Sequence, residues 1–119
     1  MVLTMETGTM DIGIGRIVKC TNCNNTGREV VKQEFFNQDA FYIIPLNRQT
    51  GKVFVVCHIC HWGIKLNPKI DSAKIEAIIW DGREQTKAFL NRISSSQRNR
   101  ILKSYRKMGL NKLVNFMSQ

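Results

Sequence analysis

The chain has no window approaching the ~18 uncharged apolar residues that a membrane-spanning helix needs. Its longest apolar runs are Ala40–Ile44 and Val53–Cys57, so a transmembrane segment is excluded. The opening residues, Met1-Val2-Leu3-Thr4-Met5-Glu6, have neither a basic start nor an apolar stretch and do not read as a secretory signal. Val2 stands where myristoylation requires glycine. The expectation is an intracellular, cytoplasmic protein. Catalytic fingerprints are missing too: there is no G-x-S-x-G, Walker loop, H-E-x-x-H or complete dinucleotide-binding glycine motif. Gly13-x-Gly15 is a fragment without the third glycine, placed before an expected strand. Glu29, Glu34 and Asp39 show no sign of an acid–base pair. No enzyme is expected. At 119 residues, one domain with an appendage is the natural reading, and a cleft between large lobes is ruled out.

Acidic residues are scarce, 9 against 18 Lys and Arg, for a formal charge of +9. The shortage is local. Residues 1–84 are nearly neutral at +1, while residues 85–119 contain eight basic side chains and no Asp or Glu. Such asymmetry points to an anionic partner, whether nucleic acid, a membrane surface or an acidic protein, or else to a solvated helical face.

Only four cysteines occur, and none is left over: Cys20-Thr21-Asn22-Cys23 and Cys57-His58-Ile59-Cys60, 33 residues apart. Two C-x-x-C pairs are the signature of a four-thiolate zinc site, since each tight turn aims two sulfurs at one ion. One structural Zn²⁺ per chain is expected on Cys20, Cys23, Cys57 and Cys60. Disulfides are disfavoured by the expected reducing compartment. A redox C-x-x-C needs a helix mouth after a βαβ pattern, which neither pair has. Four-cysteine iron sites have suitable ligands but other spacings. His58 and His61 read as surface residues of the second knuckle, an open three-cysteine, one-histidine site being the exception. Four thiolates and one Zn²⁺ bring the chain to +7 and the body to about −1, leaving +8 on residues 85–119.

Strands are expected around both pairs. Ile14–Lys19 leads into the first. Arg28–Phe36 follows and ends at the turn cluster Asn37-Gln38-Asp39, with Ala40–Ile44 next. Pro45 marks a strand end or edge, and Asn47–Gly51 reads as a hairpin loop. Lys52–Cys57 then runs into the second pair, and His61–Leu66 returns. The rings of Phe35, Phe36, Phe41, Tyr42, Phe54 and Trp62 are expected mostly in the core. A body this small needs help to fold, which structural zinc supplies.

Gly13-Ile14-Gly15-Arg16, Cys20-x-x-Cys23, Ile43-Ile44-Pro45-Leu46, Val53–Val56 and Cys57-x-x-Cys60-x-x-Gly63-Ile64 together resemble the family of short zinc-ribbon proteins of the zinc-ribbon-15 type. The resemblance covers roughly residues 12–70. It implies a rubredoxin-like zinc ribbon with the four cysteines on one zinc, and brings with it no established catalytic activity or agreed substrate. The family's knuckle is Cys-Pro-x-Cys-Gly, whereas here Thr21 and His58 stand at the proline and Asn24 and His61 at the glycine. Asparagine takes up left-handed backbone readily and histidine less so, so the turn of the second knuckle is open while its ligands are not.

Beyond Pro68 the pattern turns helical. Asp71–Trp80 carries Ile75, Ile78 and Ile79 at helical spacing. Gly82 interrupts it, and Arg83–Ile93 resumes with Ala88, Phe89 and Ile93. Ser94 with Gln97 fits a capping box for a helix over about Ser95–Met108, whose stripe is Ile101, Leu102, Tyr105 and Met108. Gly109 suits a C-cap, and Leu110–Met117 suits a last short helix. The expected organisation is an α+β fold: an N-terminal extension (1–11), an antiparallel zinc ribbon (12–68) and a basic amphipathic helical segment (69–119). The helical stripes either pack on the chain's own core or dock on a partner, including a second copy. Two functions stay open. One is a zinc-finger-class binding module contacting nucleic acid through Arg98, Arg100, Lys103, Arg106 and Lys107. The other is a protein-interaction adaptor or self-association module, with a redox protein behind both.

Overall fold

Half-buried Met10 and buried Ile12 alternate with outward Thr9 and Asp11 along strand β1, Met5–Lys19, the two-residue period of a strand with one covered face. The computed structural model describes residues 5–38 and 51–119, with residues 5–7 and 35–38 described by backbone alone. The expected strand at Ala40–Ile44, Pro45, the loop at 47–50 and the rings of Phe35, Phe36, Phe41 and Tyr42 lie outside what is described. Strands β2 (Thr26–Gln38), β3 (Val53–Val56) and β4 (Gly63–Leu66) complete an antiparallel sheet in the order β1-β2-β3-β4.

Residues 5–11, read from the sequence as an extension, belong to the sheet: the ladder runs from Met5 opposite Gln38 to Asp11 opposite Lys32. Glycine and polar residues hide this strand locally, and its long antiparallel partner supplies the ladder. The register shifts between Asp11 and Gly13 and between Ile14 and Ile17, and such irregularities locally bend a strand. Four helices follow: α1 (Ser72–Asp81), α2 (Arg83–Arg92), α3 (Ser95–Met108) and α4 (Asn111–Met117). The α+β class read from the sequence is therefore the observed one.

The helices do not stand apart from the sheet. Ile12, Val31, Val53, Val55 and Leu66 share one buried cluster with Ile75, Ile78, Ile79, Leu90, Ile101, Leu102, Tyr105, Met108, Leu110, Leu113 and Met117. The stripes of α3 and α4 are thus covered by the chain's own core. Close approach requires small residues at the seam. A Cβ on Gly15 would lie 2.6 Å from Ile78 Cγ2, and one on Gly82 2.2 Å from the Ile14 carbonyl oxygen. Gly13-x-Gly15 is therefore a helix-docking feature of β1. Buried Thr86 seals the same edge: its hydroxyl accepts from Ile14 N–H at 2.9 Å and donates toward Gly82 O or Ile14 O at 2.9 and 3.1 Å, covering backbone groups an edge strand would leave open. Tyr105 Oη donates to Ile12 O, and Ser104 Oγ to the buried Gln33 Oε1, tying α3 to β1 and β2.

Of the six rings expected mostly in the core, the two whose side chains are described lie outside it. Phe54 is half-buried and Trp62 is 55% exposed. Phe54 stands between Lys32 and Lys65 in the ladder, on the face opposite Val53 and Val55, and the shared core takes those two valines. Among the described residues the large fully buried side chains are mostly aliphatic, and Tyr105 is the aromatic exception.

Candidate metal centre

Each C-x-x-C sits in the turn of a hairpin. Cys20–Cys23 joins β1 to β2, and Cys57–Cys60 joins β3 to β4. The two turns are built alike. Cys20 N–H donates to Asn25 O at 2.9 Å and Asn24 N–H to Cys20 O at 2.8 Å. In the second knuckle, Cys57 N–H donates to Trp62 O at 2.9 Å and His61 N–H to Cys57 O at 3.0 Å. Both turns close on a left-handed residue, Asn24 at φ 63° and His61 at φ 62°. The second knuckle therefore keeps the geometry of the first despite its histidine. Amides turned inward also serve the sulfurs: Ile59 N–H donates to Cys57 Sγ at 3.4 Å.

The four Sγ atoms converge, all within 4.8 Å of one another. Cys20 Sγ lies 3.6 Å from Cys60 Sγ, and Cys23 Sγ 3.7 Å from Cys57 Sγ. A disulfide needs about 2.05 Å, so these are free thiols. A tetrahedron with metal–sulfur bonds of about 2.3 Å has sulfur–sulfur edges of about 3.8 Å, which the two cross-knuckle distances match. The four cysteines can hold one metal ion. Cys20 and Cys57 are buried, and Cys23 and Cys60 half-buried.

The surroundings favour thiolate on one side of the cluster. The Asn22 side-chain amide, 3.4 Å from Cys60 Sγ, draws the Cys60 thiol down to about 6. Asn25 Nδ2, 3.3 Å from Cys23 Sγ, likewise lowers Cys23. For Cys20 the Cys23 amide acts downward, but burial and the neighbouring Cys60 and Cys23 sulfurs push it up to about 11. Neutral thiols are poor ligands, so a metal must displace the Cys20 proton, and acid must oppose binding. Neither asparagine was singled out from the sequence as a sulfur donor. Their positions inside and just after the first knuckle are the only local signal. His58 and His61 are exposed. The His58 imidazole lies over Gly27, where a Cβ would come within 2.3 Å of its Cε1.

No family model, curated protein or solved structure matches the chain.

The five basic candidates all lie on α3. Arg100, Lys103, Arg106 and Lys107 are exposed and face away from the buried stripe, whereas Arg98 is half-buried. Arg100 borders a cleft of about 470 Å³ formed with Met10, Asp11 and Phe89; Arg106 and Lys107 border another, of about 340 Å³, with Lys69 and Ser72. Missed by sequence reasoning is a second basic group near the α1–α2 junction: Arg83, Lys87 and Lys112 lie against the rings of Trp80 and Phe116. No helix among the described residues is long and apolar enough to cross a membrane.

Proposed function

We propose that the chain is a structural zinc-ribbon module, without enzymatic activity, whose basic helices contact nucleic acid. The observation that carries the metal half is the match between the cross-knuckle sulfur distances, 3.6 and 3.7 Å, and a tetrahedral four-thiolate site. Zinc is the natural occupant, since the site is closed by sulfur and offers no ligand position for a substrate. The resemblance to the zinc-ribbon-15 type agrees with this assignment. Reduced cysteines suit an intracellular setting.

The nucleic-acid half rests on charge: eight basic residues and no acid over 85–119, with Lys103, Arg106 and Lys107 turned outward from α3. Contacts of this kind are to phosphates and are indifferent to base sequence. Fluorescence anisotropy with labelled oligonucleotides of unrelated sequence tests it. Binding is expected to weaken steeply with salt, and replacing Lys103, Arg106 and Lys107 by Gln to flatten the log–log slope by about 2–3. Absence of binding at low salt ends this half of the reading.

One observation favours the adaptor as a second reading. Among the described strands β4 lies at an edge, and Trp62 just before it and Ile64 within it are 55% and 44% exposed, which suits strand addition by another protein. A salt-insensitive complex that survives neutralisation of α3 would favour it.

A further inference from the structure

Two aromatic rings at the end of the helical layer gather three cations. Trp80, the penultimate residue of α1, meets Phe116 of α4 edge to face, with centroids 5.6 Å apart and planes at 70°. The Arg83 guanidinium stands 4.5 Å from the Trp80 ring centroid and 5.8 Å from that of Phe116. Lys112 Nζ lies 4.3 Å from the Trp80 ring, and Lys87 Nζ 5.1 Å from the Phe116 ring. Arg83 and Lys112, sharing one ring, are therefore no more than about 9 Å apart, close to the Debye length at physiological salt.

A single cation suffices for the attraction of a ring quadrupole; a second on the same ring adds repulsion. The ion pairs among the described residues are Arg16–Glu29, Arg28–Asp81 and Lys32–Asp11, so none of the three cations is ion-paired, although Asp81 and Glu84 flank Arg83 in sequence. Donor capacity is left over as well. Arg83 Nη1 donates to Trp80 O at 2.9 Å, which anchors the guanidinium and leaves most of its five N–H groups available. The rings thus hold three charges in place in advance of any ligand, which lowers the ordering cost of binding an anion.

We infer that Arg83, Lys87 and Lys112, set by Trp80 and Phe116, form a phosphate-binding site for a nucleic-acid backbone, separate from the outward face of α3. A strand of regularly spaced phosphates suits the charge better than an isolated anion, because residues 85–119 alone carry eight cations and no acid. Anionic lipid is disfavoured because the rings are half-buried, paired with each other and flanked by cations, leaving none free to enter a headgroup layer. Base stacking on Trp80 is disfavoured by the two cations at its ring, so binding here is indifferent to sequence.

The inference rests on the nucleic-acid reading above, and one experiment separates their failures. Anisotropy titrations of the zinc-loaded full chain use a labelled single-stranded oligonucleotide, its duplex, and phosphatidylserine vesicles, over about 50–200 mM salt. The Arg83→Gln/Lys87→Gln/Lys112→Gln variant is expected to flatten the salt slope by about 2–3, and the milder Lys87→Gln/Lys112→Gln pair by about 1–2. Lys87→Arg/Lys112→Arg is expected to keep the wild-type slope, which separates charge from folding. If both neutralised variants keep the wild-type slope while the α3 variant loses it, this site is wrong and the general reading stands. If the wild-type chain binds neither oligonucleotide, both fall. Equal loss of vesicle and oligonucleotide binding in the triple variant assigns the site to anions at large and overturns it as a nucleic-acid site.

Discussion

Cys60 accepts from Asn22 and Cys23 from Asn25, so two asparagine amides stabilise sulfur charge without being ligands. Asn22→Ala keeps all four cysteines and removes one donor. Metal affinity is expected to fall about tenfold, as for other outer-shell partners, read by chelator competition; unchanged affinity would contradict the role. His61 is left-handed at φ 62°, which costs a non-glycine residue of order 1 kcal/mol. His61→Gly is expected to recover much of this in thermal unfolding, and Asn24→Gly less. Tyr105 is buried, and burial pushes its ionisation well above the ordinary value of 10. Its contribution to stability is complete below pH 10, where tyrosine is neutral in both states, and is lost as pH rises toward the folded-state value. Tyrosinate absorbance from Tyr105 is expected only together with alkaline unfolding. The ligand cysteines were legible because their meaning lies in a spacing of three residues. The asparagine donors were not, because asparagine in a tight turn is equally explained by backbone geometry.

At the level of elements, the helices were the legible part. The Ser94 side chain accepts from Gln97 N–H at 3.2 Å and Gly109 closes α3 at φ 79°, both as their positions imply. Ser94→Ala is expected to cost about 1 kcal/mol. The seam between β1 and the helices was illegible, since it joins residues more than 60 apart in sequence. Gly13-x-Gly15 looked like a fragment of a nucleotide motif and instead makes room for Ile78 and Ile79. Thr86, an ordinary polar residue in a helical pattern, caps the edge of β1 from 72 residues away. Thr86→Val keeps the shape but orphans Ile14 N–H, and is expected to cost about 1–3 kcal/mol in denaturant unfolding. A neutral result would mean that water reaches that edge.

Across the whole molecule, the metal ligands sit at the turns of two hairpins, β1–β2 and β3–β4, so an ion on the four sulfurs clips both turns together. Strands β3 and β4 are the shortest of the sheet, four residues each, and so lean most on that clip, while Val53, Val55 and Leu66 join Ile12 and Val31 in the core shared with the helices. The excess charge belongs to helices whose apolar faces are spent on that core. It lies on the outside of the helical layer, with one basic group along α3 and another around Trp80. On the proposed function, one zinc ion holds the ribbon together, and structural zinc of this kind is coupled to folding. Native mass spectrometry of the purified chain, before and after chelator, tests it most directly. One zinc per chain is expected, lost on chelation together with a shift to the higher charge states of an opened chain. A chain that carries no zinc, or that gives it up and keeps its compact charge-state distribution, would contradict the account.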